Sequence, residues 1–205
     1  ICYVRENHAE KIDKAYEYFW DNNYPEEFLG GTALELGFLN FEEWLIFDYK
    51  ANTEKEIFID IYVKDNNGLK DDEVKLLNKI KYAVLSLYEV SSVSKDKRIS
   101  LKDLLLGGEF SVSQKTLSKG LKKDDIFAAR FLNLDNKQIM SQCVYPYTSG
   151  HKKIILGYID NQMKRYKRNE NPDGTIKDFL KDYGDTFNII WMNLILTNEG
   201  GSKKT

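Results

Sequence analysis

The sequence is short of the residues from which most metal and nucleophile sites are built. Its 205 residues hold only two cysteines, Cys2 and Cys143, and two histidines, His8 and His151. The cysteines match no zinc spacing, and a structural zinc site needs four clustered ligands. Both cysteines lie in strand-like contexts, and we expect reduced thiols, although the sequence leaves a disulfide open. We therefore predict neither a bound metal nor a cofactor.

Several signatures of other protein classes are also absent. No glycine-rich loop of the G-x-x-x-x-G-K-[ST] or G-x-G-x-x-G type is present to bind a phosphate, and no G-x-S-x-G elbow is present to position a serine nucleophile. No run reaches the ~18 consecutive apolar residues of a membrane span, and the first residues do not form a signal peptide. We therefore expect a cytoplasmic protein. Because the chain does not begin with methionine, we also expect a trimmed or partial chain of a longer product.

The composition predicts a folded protein without a linker. Only three prolines and no Ser/Gly tract interrupt the chain, and 42% of its residues are hydrophobic. We predict one domain over residues 1–205, with a mainly helical part (1–87), an antiparallel β-unit (88–147) and C-terminal helices (148–199). The expected fold class is α+β, a short-stranded antiparallel β-sheet or small barrel flanked by N- and C-terminal helices.

The net charge of −2 hides an asymmetry along the chain. Residues 1–60 contain 14 Asp/Glu and 5 Lys/Arg, a net of −9, so the remaining residues hold 18 acids and 25 bases, a net of +7. Such a split indicates two differently charged faces, or an acidic end that contacts a basic one.

The first sixty residues carry mostly helical patterns. Apolar residues recur at helical spacing over residues 8–22, a short helix is expected at Pro25, and residues 38–49 are interpreted as a buried helix, with a strand as the alternative. Residues 56–64 read EIFIDIYVK. Their alternating β-branched residues favour a strand over a continuing helix.

A helix and then a β-unit are expected next. An aspartate at position 71 or 72 can cap a helix whose apolar stripe extends from Val74 to Leu87. Short runs at intervals of about ten residues follow, a spacing typical of a meander, small barrel or curled sheet. These runs are Tyr88–Val93, Arg98–Leu105, Glu109–Lys115, Asp125–Leu134 and Lys137–Tyr145. The fourth run is apolar on both faces, so we expect it inside the sheet.

Three helices are predicted after the β-unit. The first begins with Thr148 or Ser149 as its cap and ends at Arg168, and the others span residues 176–183 and 186–197. The last helix is apolar on more than one face. It is therefore either buried, which we prefer, or half of a dimer or partner interface.

One set of charged residues fits a metal-dependent phosphodiesterase or nuclease, which needs carboxylates and a lysine at one place. Asp48, Glu56, Asp60 and Lys64 could supply that set. Glu56, Asp60 and Lys64 align on a helix and also share one face of a strand. A solvated charged face predicts the same residues, so this catalytic set is the alternative interpretation.

The segment YPYTSGHKKIILGYIDNQMKRYKR combines cations with tyrosines, as nucleic-acid-binding surfaces do. Six cations could contact phosphates: Lys152, Lys153, Lys164, Arg165, Lys167 and Arg168. Tyr147, Tyr158 or Tyr166 could stack on bases, and a small β-unit beside this helix suits single-stranded nucleic acid. However, Tyr166 also fits the buried stripe, and cations at a helix C-terminus complement the helix dipole.

The order of several segments resembles that of a group of uncharacterised bacterial proteins, some of which carry a SEC-C zinc-knuckle motif. The segments are FEEWLIFDYK, LSLYEV, ISLKDLLLGGEF, LKKDDIFAARFL and CVYPY, and they cover roughly Phe41 to Tyr147. The resemblance implies structural motifs, with residues 104–107 at the end of a strand and residues 125–130 at the start of another. The cysteine cluster of the zinc-bearing members is absent, so their zinc site is not transferred.

The function that we expect is a non-enzymatic interaction or regulatory module of the bacterial cytoplasm. It would bind protein or nucleic acid through the β-unit and the basic helix. The alternatives are the metal-dependent phosphodiesterase and a structural subunit that docks through its C-terminal helix. We expect no membrane partner, and the sequence leaves the oligomeric state open.

Overall fold

The computed structural model describes residues 1–94, 98–113, 120–135 and 137–202, with side chains as far as residue 195 in the last helix. The chain divides into two compact units. The first unit comprises Ile1–Ala83 and Met192–Thr205, and the second comprises Val84–Trp191. The organisation of residues 1–205 as a single domain stays a prediction.

The first unit is built from helices around an aromatic core. The helices are α1 (Cys2–Asn7), α2 (Ala9–Phe19), α3 (Gly31–Phe47), α4 (Phe58–Asp65) and α5 (Asp71–Ile80), with a 3-10 turn at Pro25–Glu27. Trp20 is fully buried, and the ring centroids of Phe19 and Trp44 lie 5.0 Å apart. The predicted helices over 8–22, at Pro25 and over 38–49 are confirmed. Cys2, however, lies in a helix rather than in a strand-like context, and neither cysteine forms a disulfide.

The strand predicted over residues 56–64 is wrong, because this segment forms α4. Just before the helix, Asn52 Oδ1 accepts a hydrogen bond from the Glu56 N–H at 3.0 Å, so the chain turns instead of extending. Phe58 and Ile59 would point to opposite faces of a strand, yet both are buried. A helix with a wide apolar stripe buries both, and this packing outweighs the β propensity of the alternating residues.

Helix α5 ends earlier than its predicted apolar stripe. It stops at Ile80, and Leu87 lies in the first strand of the second unit. Leu87 is apolar, as expected both for a buried residue of a central strand and for a residue on the apolar stripe of a helix. The hydrophobic pattern alone therefore did not show where the helix ends and the strand begins. At the other end, the Glu73 carboxylate accepts a hydrogen bond from the Lys70 N–H at 2.8 Å, so Lys70 rather than an aspartate precedes the first turn.

The second unit contains a five-stranded antiparallel sheet with the order β3-β2-β1-β4-β5. Its strands are β1 (Leu85–Val93), β2 (Arg98–Asp103), β3 (Glu109–Ser113), β4 (Ile126–Leu134) and β5 (Lys137–Tyr147). The predicted antiparallel sheet is confirmed, and β4 lies inside it, as its apolar character predicts. The small-barrel alternative is wrong: in the described ranges no ladder joins β3 to β5, so the sheet is open. The spacing of strands in a sequence does not determine whether the edge strands pair.

The two faces of the sheet bury different sets of side chains. On one face the rings of Tyr88, Phe110 and Phe131 form an edge-to-face cluster with centroids 4.9 to 5.7 Å apart. On the opposite face Tyr145 contacts Trp191 of the last helix, with ring centroids 5.8 Å apart. Most of β1 and β4 is therefore buried on both faces, which explains why the β4 segment is apolar on both faces.

Three helices follow the sheet, as predicted: α6 (Lys152–Asn169), α7 (Ile176–Asp182) and α8 (Thr186–Ser202). A 3-10 turn, Ser149–His151, precedes α6, and neither Thr148 nor Ser149 provides a side-chain cap for α6. All side chains from Thr186 to Met192 are buried except Ile189, which confirms the preferred burial of this part of the last helix. No helix in the described part of the chain combines the length and apolar character needed to cross a bilayer.

Candidate nucleic-acid interface

Helix α6 packs onto the second unit through one side. Its buried residues are Ile155, Ile159 and Tyr166, which recur at helical spacing as the sequence predicts, whereas Met163, the fourth residue of the predicted stripe, is half-buried. The ring of Tyr166 packs closely against Gly174, where a Cβ would lie only 2.5 Å from Tyr166 Cε1. One side of an 18-residue helix is therefore held firmly, and the other faces solvent.

The solvent side of α6 is basic. Five of the six predicted phosphate-binding cations are exposed, and we call them the basic face: Lys153, Lys164, Arg165, Lys167 and Arg168. At 3.6 residues per turn, Lys153, Lys164 and Arg168 lie within a sector of about 60°. The sixth cation, Lys152, is half-buried, and its Nζ donates to Oε1 of Glu89 on β1 at 2.5 Å. Lys152 thus holds α6 against the sheet.

Few carboxylates neutralise the basic face. Lys164 Nζ lies 2.6 Å from Asp160 Oδ2, but both side chains are more than 60% exposed, so solvent screens this pair. Lys153, Arg165 and Lys167 have no carboxylate partner among the described residues. These cations keep their charge available to a ligand.

The carboxylates that follow α6 are engaged in hydrogen bonds of their own. The Tyr166 hydroxyl donates to Asp182 Oδ2 at 2.7 Å, and the Tyr183 hydroxyl donates to Glu170. The hydrogen bond to Glu170, together with burial and the negative charge of that carboxylate, raises the pKa of Tyr183 to about 12. These bonds attach α7 to the C-terminal end of α6 and direct the two carboxylates toward tyrosines rather than toward the basic face.

Two of the three tyrosines proposed for base stacking are buried. Tyr147 is only 9% exposed, its hydroxyl donates to the Phe187 carbonyl at 2.8 Å, and burial raises its pKa well above the ordinary value. Tyr166 is buried and Tyr158 is half-buried. A ring enclosed by protein offers no free face to a base, so Tyr147 and Tyr166 provide no stacking platform beside the basic face.

The carboxylate set predicted for metal chemistry lies in the first unit. Glu56 forms an ion pair with Lys64, which lowers the pKa of the Glu56 carboxyl. Asp60 Oδ1 accepts a hydrogen bond from Lys81 Nζ at 2.7 Å, and Asp48 is buried just after α3. Across the described ranges, no three His, Cys, Asp or Glu side chains converge to hold a metal ion. The metal-dependent interpretation stays a prediction.

The sheet contains a buried polar network that no sequence motif predicted. Asp103 Oδ1 accepts hydrogen bonds from the Ser86 hydroxyl at 2.6 Å and from the N–H groups of Leu105 and Leu106 at 3.0 and 2.8 Å. Burial and the nearby Asp103 carboxylate raise the pKa of Tyr88. The only sequence signal was the aspartate inside ISLKDLLLGGEF, where β2 gives way to a turn, as the resemblance implied.

A cavity of about 320 Å³ lies in the first unit. Its lining is mostly apolar: Ile1, Cys2, Tyr3, Val4, Ile46, Phe58, Ile59, Tyr62 and Leu77. No periodic pattern in the sequence predicts this cavity, because its lining residues come from four helices that are separated in sequence. At its edge Tyr3 donates to Asp65, which together with burial raises the pKa of Tyr3 to about 12.

Residues 38–183 match the family of unknown function DUF7986. This match covers more than half of the chain, so the protein belongs to that family. It includes α4, α5, the whole sheet and α6, and therefore every residue of the basic face. Comparison with curated proteins gives no match, and comparison with solved structures gives none either. The relationship to proteins that carry a SEC-C motif stays a prediction.

Proposed function

We propose that the protein is a non-enzymatic interaction module that binds nucleic acid through the basic face of α6. The observation that carries this proposal is the set of exposed cations, of which Lys153, Arg165 and Lys167 have no carboxylate partner among the described residues. We place this activity in the bacterial cytoplasm, as the resemblance to SEC-C-related bacterial proteins implies.

The physical argument concerns counterions and charge. Each phosphate that a lysine or arginine neutralises releases condensed counterions, which favours binding at low salt. The pair between Lys164 and Asp160 does not prevent this, because an exposed i,i+4 pair is worth only about 0.3–0.5 kcal/mol. Complementing the helix dipole explains cations in the last turn of α6, but it does not explain Lys153 near the first turn.

The proposal is tested by fluorescence polarisation of labelled DNA and RNA over a salt series. The variant is Lys164→Ala/Arg165→Ala/Arg168→Ala. We expect it to weaken binding and to lower the slope of log K against log salt by about three. The matched control, Lys14→Ala/Lys75→Ala/Lys79→Ala, removes the same charge from exposed positions of the first unit.

The control separates specific contacts from net charge. Equal losses in both triple variants would show that only total charge matters, which contradicts a role for the basic face. No binding by the unaltered protein, even at low salt, would also overturn the proposal. A protein partner would then be the function to test.

A further inference from the structure

The geometry points to double-stranded DNA as the partner of the basic face, with the helix lying across the major groove and Gly157 at the point of closest approach. This inference rests on the proposed function and names its partner. It depends on three observations: the place of Gly157 on α6, the axial spacing of the cations, and the burial of Tyr147 and Tyr166.

Gly157 lies inside α6, as its sixth residue, and faces solvent. Glycine destabilises a helix interior relative to alanine, because it loses more backbone freedom on folding. A packing requirement does not explain it, since a Cβ built there meets no atom within 4 Å in the described part of the chain. A glycine that protein packing does not require, on an exposed helical face, permits close approach of something outside the chain.

The cations flank this glycine along the helix axis. Lys153 lies one turn before Gly157, and Lys164 lies about two turns after it, in the same sector of about 60°. At 1.5 Å per residue, Lys153 and Lys164 are about 16 Å apart along the axis, with Arg168 about 6 Å further. The major groove of B-DNA is about 12 Å wide and admits a helix. Cations at this spacing therefore reach phosphates on both sides of the groove, with Gly157 and Asn161 between them.

Other nucleic acids fit this surface less well. Single strands are held largely by stacking on aromatic rings, and Tyr147 and Tyr166 are buried. Double-stranded RNA has a deep, narrow major groove that does not admit a helix in this way. The basic face offers charge, an exposed glycine between its cations and no fully exposed tyrosine, which suits the backbone of a DNA duplex.

The test combines one substitution with three ligands. Gly157→Gln adds a neutral side chain at the point of closest approach and raises helix propensity, so it should fold with an equal or higher melting temperature. We expect its dissociation constant for a 20-base-pair DNA duplex to rise at least tenfold. Ala9→Gln, which adds the same side chain to an exposed position of α2, should leave binding unchanged. The unaltered protein should bind duplex DNA at least tenfold more tightly than single-stranded DNA or duplex RNA of equal length.

The outcomes separate this inference from the proposed function. If the Lys164/Arg165/Arg168 triple variant loses binding but Gly157→Gln keeps it, or if single strands bind as tightly as duplexes, the duplex inference is overturned and the proposed function stands. If the unaltered protein binds none of the three ligands, both are overturned. Loss of duplex binding in a stable Gly157→Gln protein, with Ala9→Gln unaffected, supports the inference.

Discussion

Asp103 on β2 and Ser86 on β1 form a buried hydrogen bond of 2.6 Å between neighbouring strands. The same carboxylate oxygen accepts the N–H groups of Leu105 and Leu106, so it also fixes the turn that leads to β3. In this turn Gly107 and Gly108 have φ angles of 78° and 89°, values that residues with a side chain rarely adopt. The aspartate of ISLKDLLLGGEF is thus a structural residue, which joins strand pairing to the reversal of the chain.

Replacing Asp103 should therefore destabilise the second unit. Asp103→Ala leaves the Ser86 hydroxyl and two N–H groups without their acceptor, and we expect a loss of about 2–3 kcal/mol in the free energy of unfolding. Urea denaturation followed by tyrosine and tryptophan fluorescence measures this loss in the free energy of unfolding. Glu109→Ala, at an exposed position of β3, should change stability by less than about 0.5 kcal/mol. Equal effects of the two substitutions would contradict the structural role of Asp103.

Much of the fold could be predicted because its signals are local. Turn residues and short apolar runs locate the five strands within a few residues, and the periodicity of α6 identifies Ile155, Ile159 and Tyr166 as buried. The strand prediction for residues 56–64 was wrong, because alternating β-branched residues are compatible with both a strand and a helix. The local turn at Asn52 and the burial of both Phe58 and Ile59 decide between them, and the burial depends on tertiary contacts.

The candidate site could be predicted only in part. Sequence identifies which residues are cationic, and exposure then follows from their place opposite the apolar stripe of α6. It does not show that Lys152 is bonded to Glu89, a residue 63 positions away, or that Tyr147 is enclosed beside Phe187. Long-range contacts of this kind determine which members of a predicted set stay available to a ligand.

Asp60 provides a test between ion pairing and metal binding. Its Oδ1 lies 2.7 Å from Lys81 Nζ, and the two side chains are 29% and 17% exposed. We expect Asp60→Asn to cost about 1 kcal/mol in unfolding free energy, because a largely covered lysine loses its partner. Isothermal titration with Mg²⁺ and Mn²⁺ should give no heat of binding for either protein. Binding of Mn²⁺ that disappears in Asp60→Asn would contradict this and support the metal-dependent interpretation.

The pair between Asp60 and Lys81 also predicts a pH dependence. The hydrogen bond from Lys81 to Asp60 raises the pKa of Lys81 above its ordinary value. A raised pKa means that this contribution to stability is complete below the ordinary lysine pKa of about 10.4 and is lost as the pH rises beyond it. The stability difference between the unaltered protein and Lys81→Met, measured by urea denaturation, should therefore shrink above that pH. A constant difference up to pH 11.5 would argue against the pair.

Gly37 in α3 is required by packing, unlike Gly157. A Cβ at Gly37 would lie 2.9 Å from Trp20 Cη2 and 3.3 Å from Leu29 Cδ1, and Trp20 is fully buried. We expect Gly37→Ala to destabilise the first unit by about 1–3 kcal/mol. Gly157→Ala is the matched control, and it should stabilise the protein by about 0.5–1 kcal/mol. Thermal denaturation followed by circular dichroism measures both, and a more stable Gly37→Ala protein would contradict the close packing at Trp20.

Tyr183 predicts a loss of stability at alkaline pH. Its hydrogen bond to Glu170 raises its pKa to about 12, against about 10 in the unfolded chain. Because the folded pKa is the higher one, the contribution of Tyr183 is complete below pH 10 and falls as the pH rises from 10 to 12. The urea midpoint of the unaltered protein should therefore approach that of Tyr183→Phe over this range. Tyr24 is 66% exposed, and its hydroxyl has no hydrogen-bond partner among the described residues. The difference in urea midpoint between Tyr24→Phe and the unaltered protein should therefore stay constant over the same pH range. If the difference for Tyr183→Phe also stays constant up to pH 12, the bond to Glu170 does not attach α7 to α6 in solution.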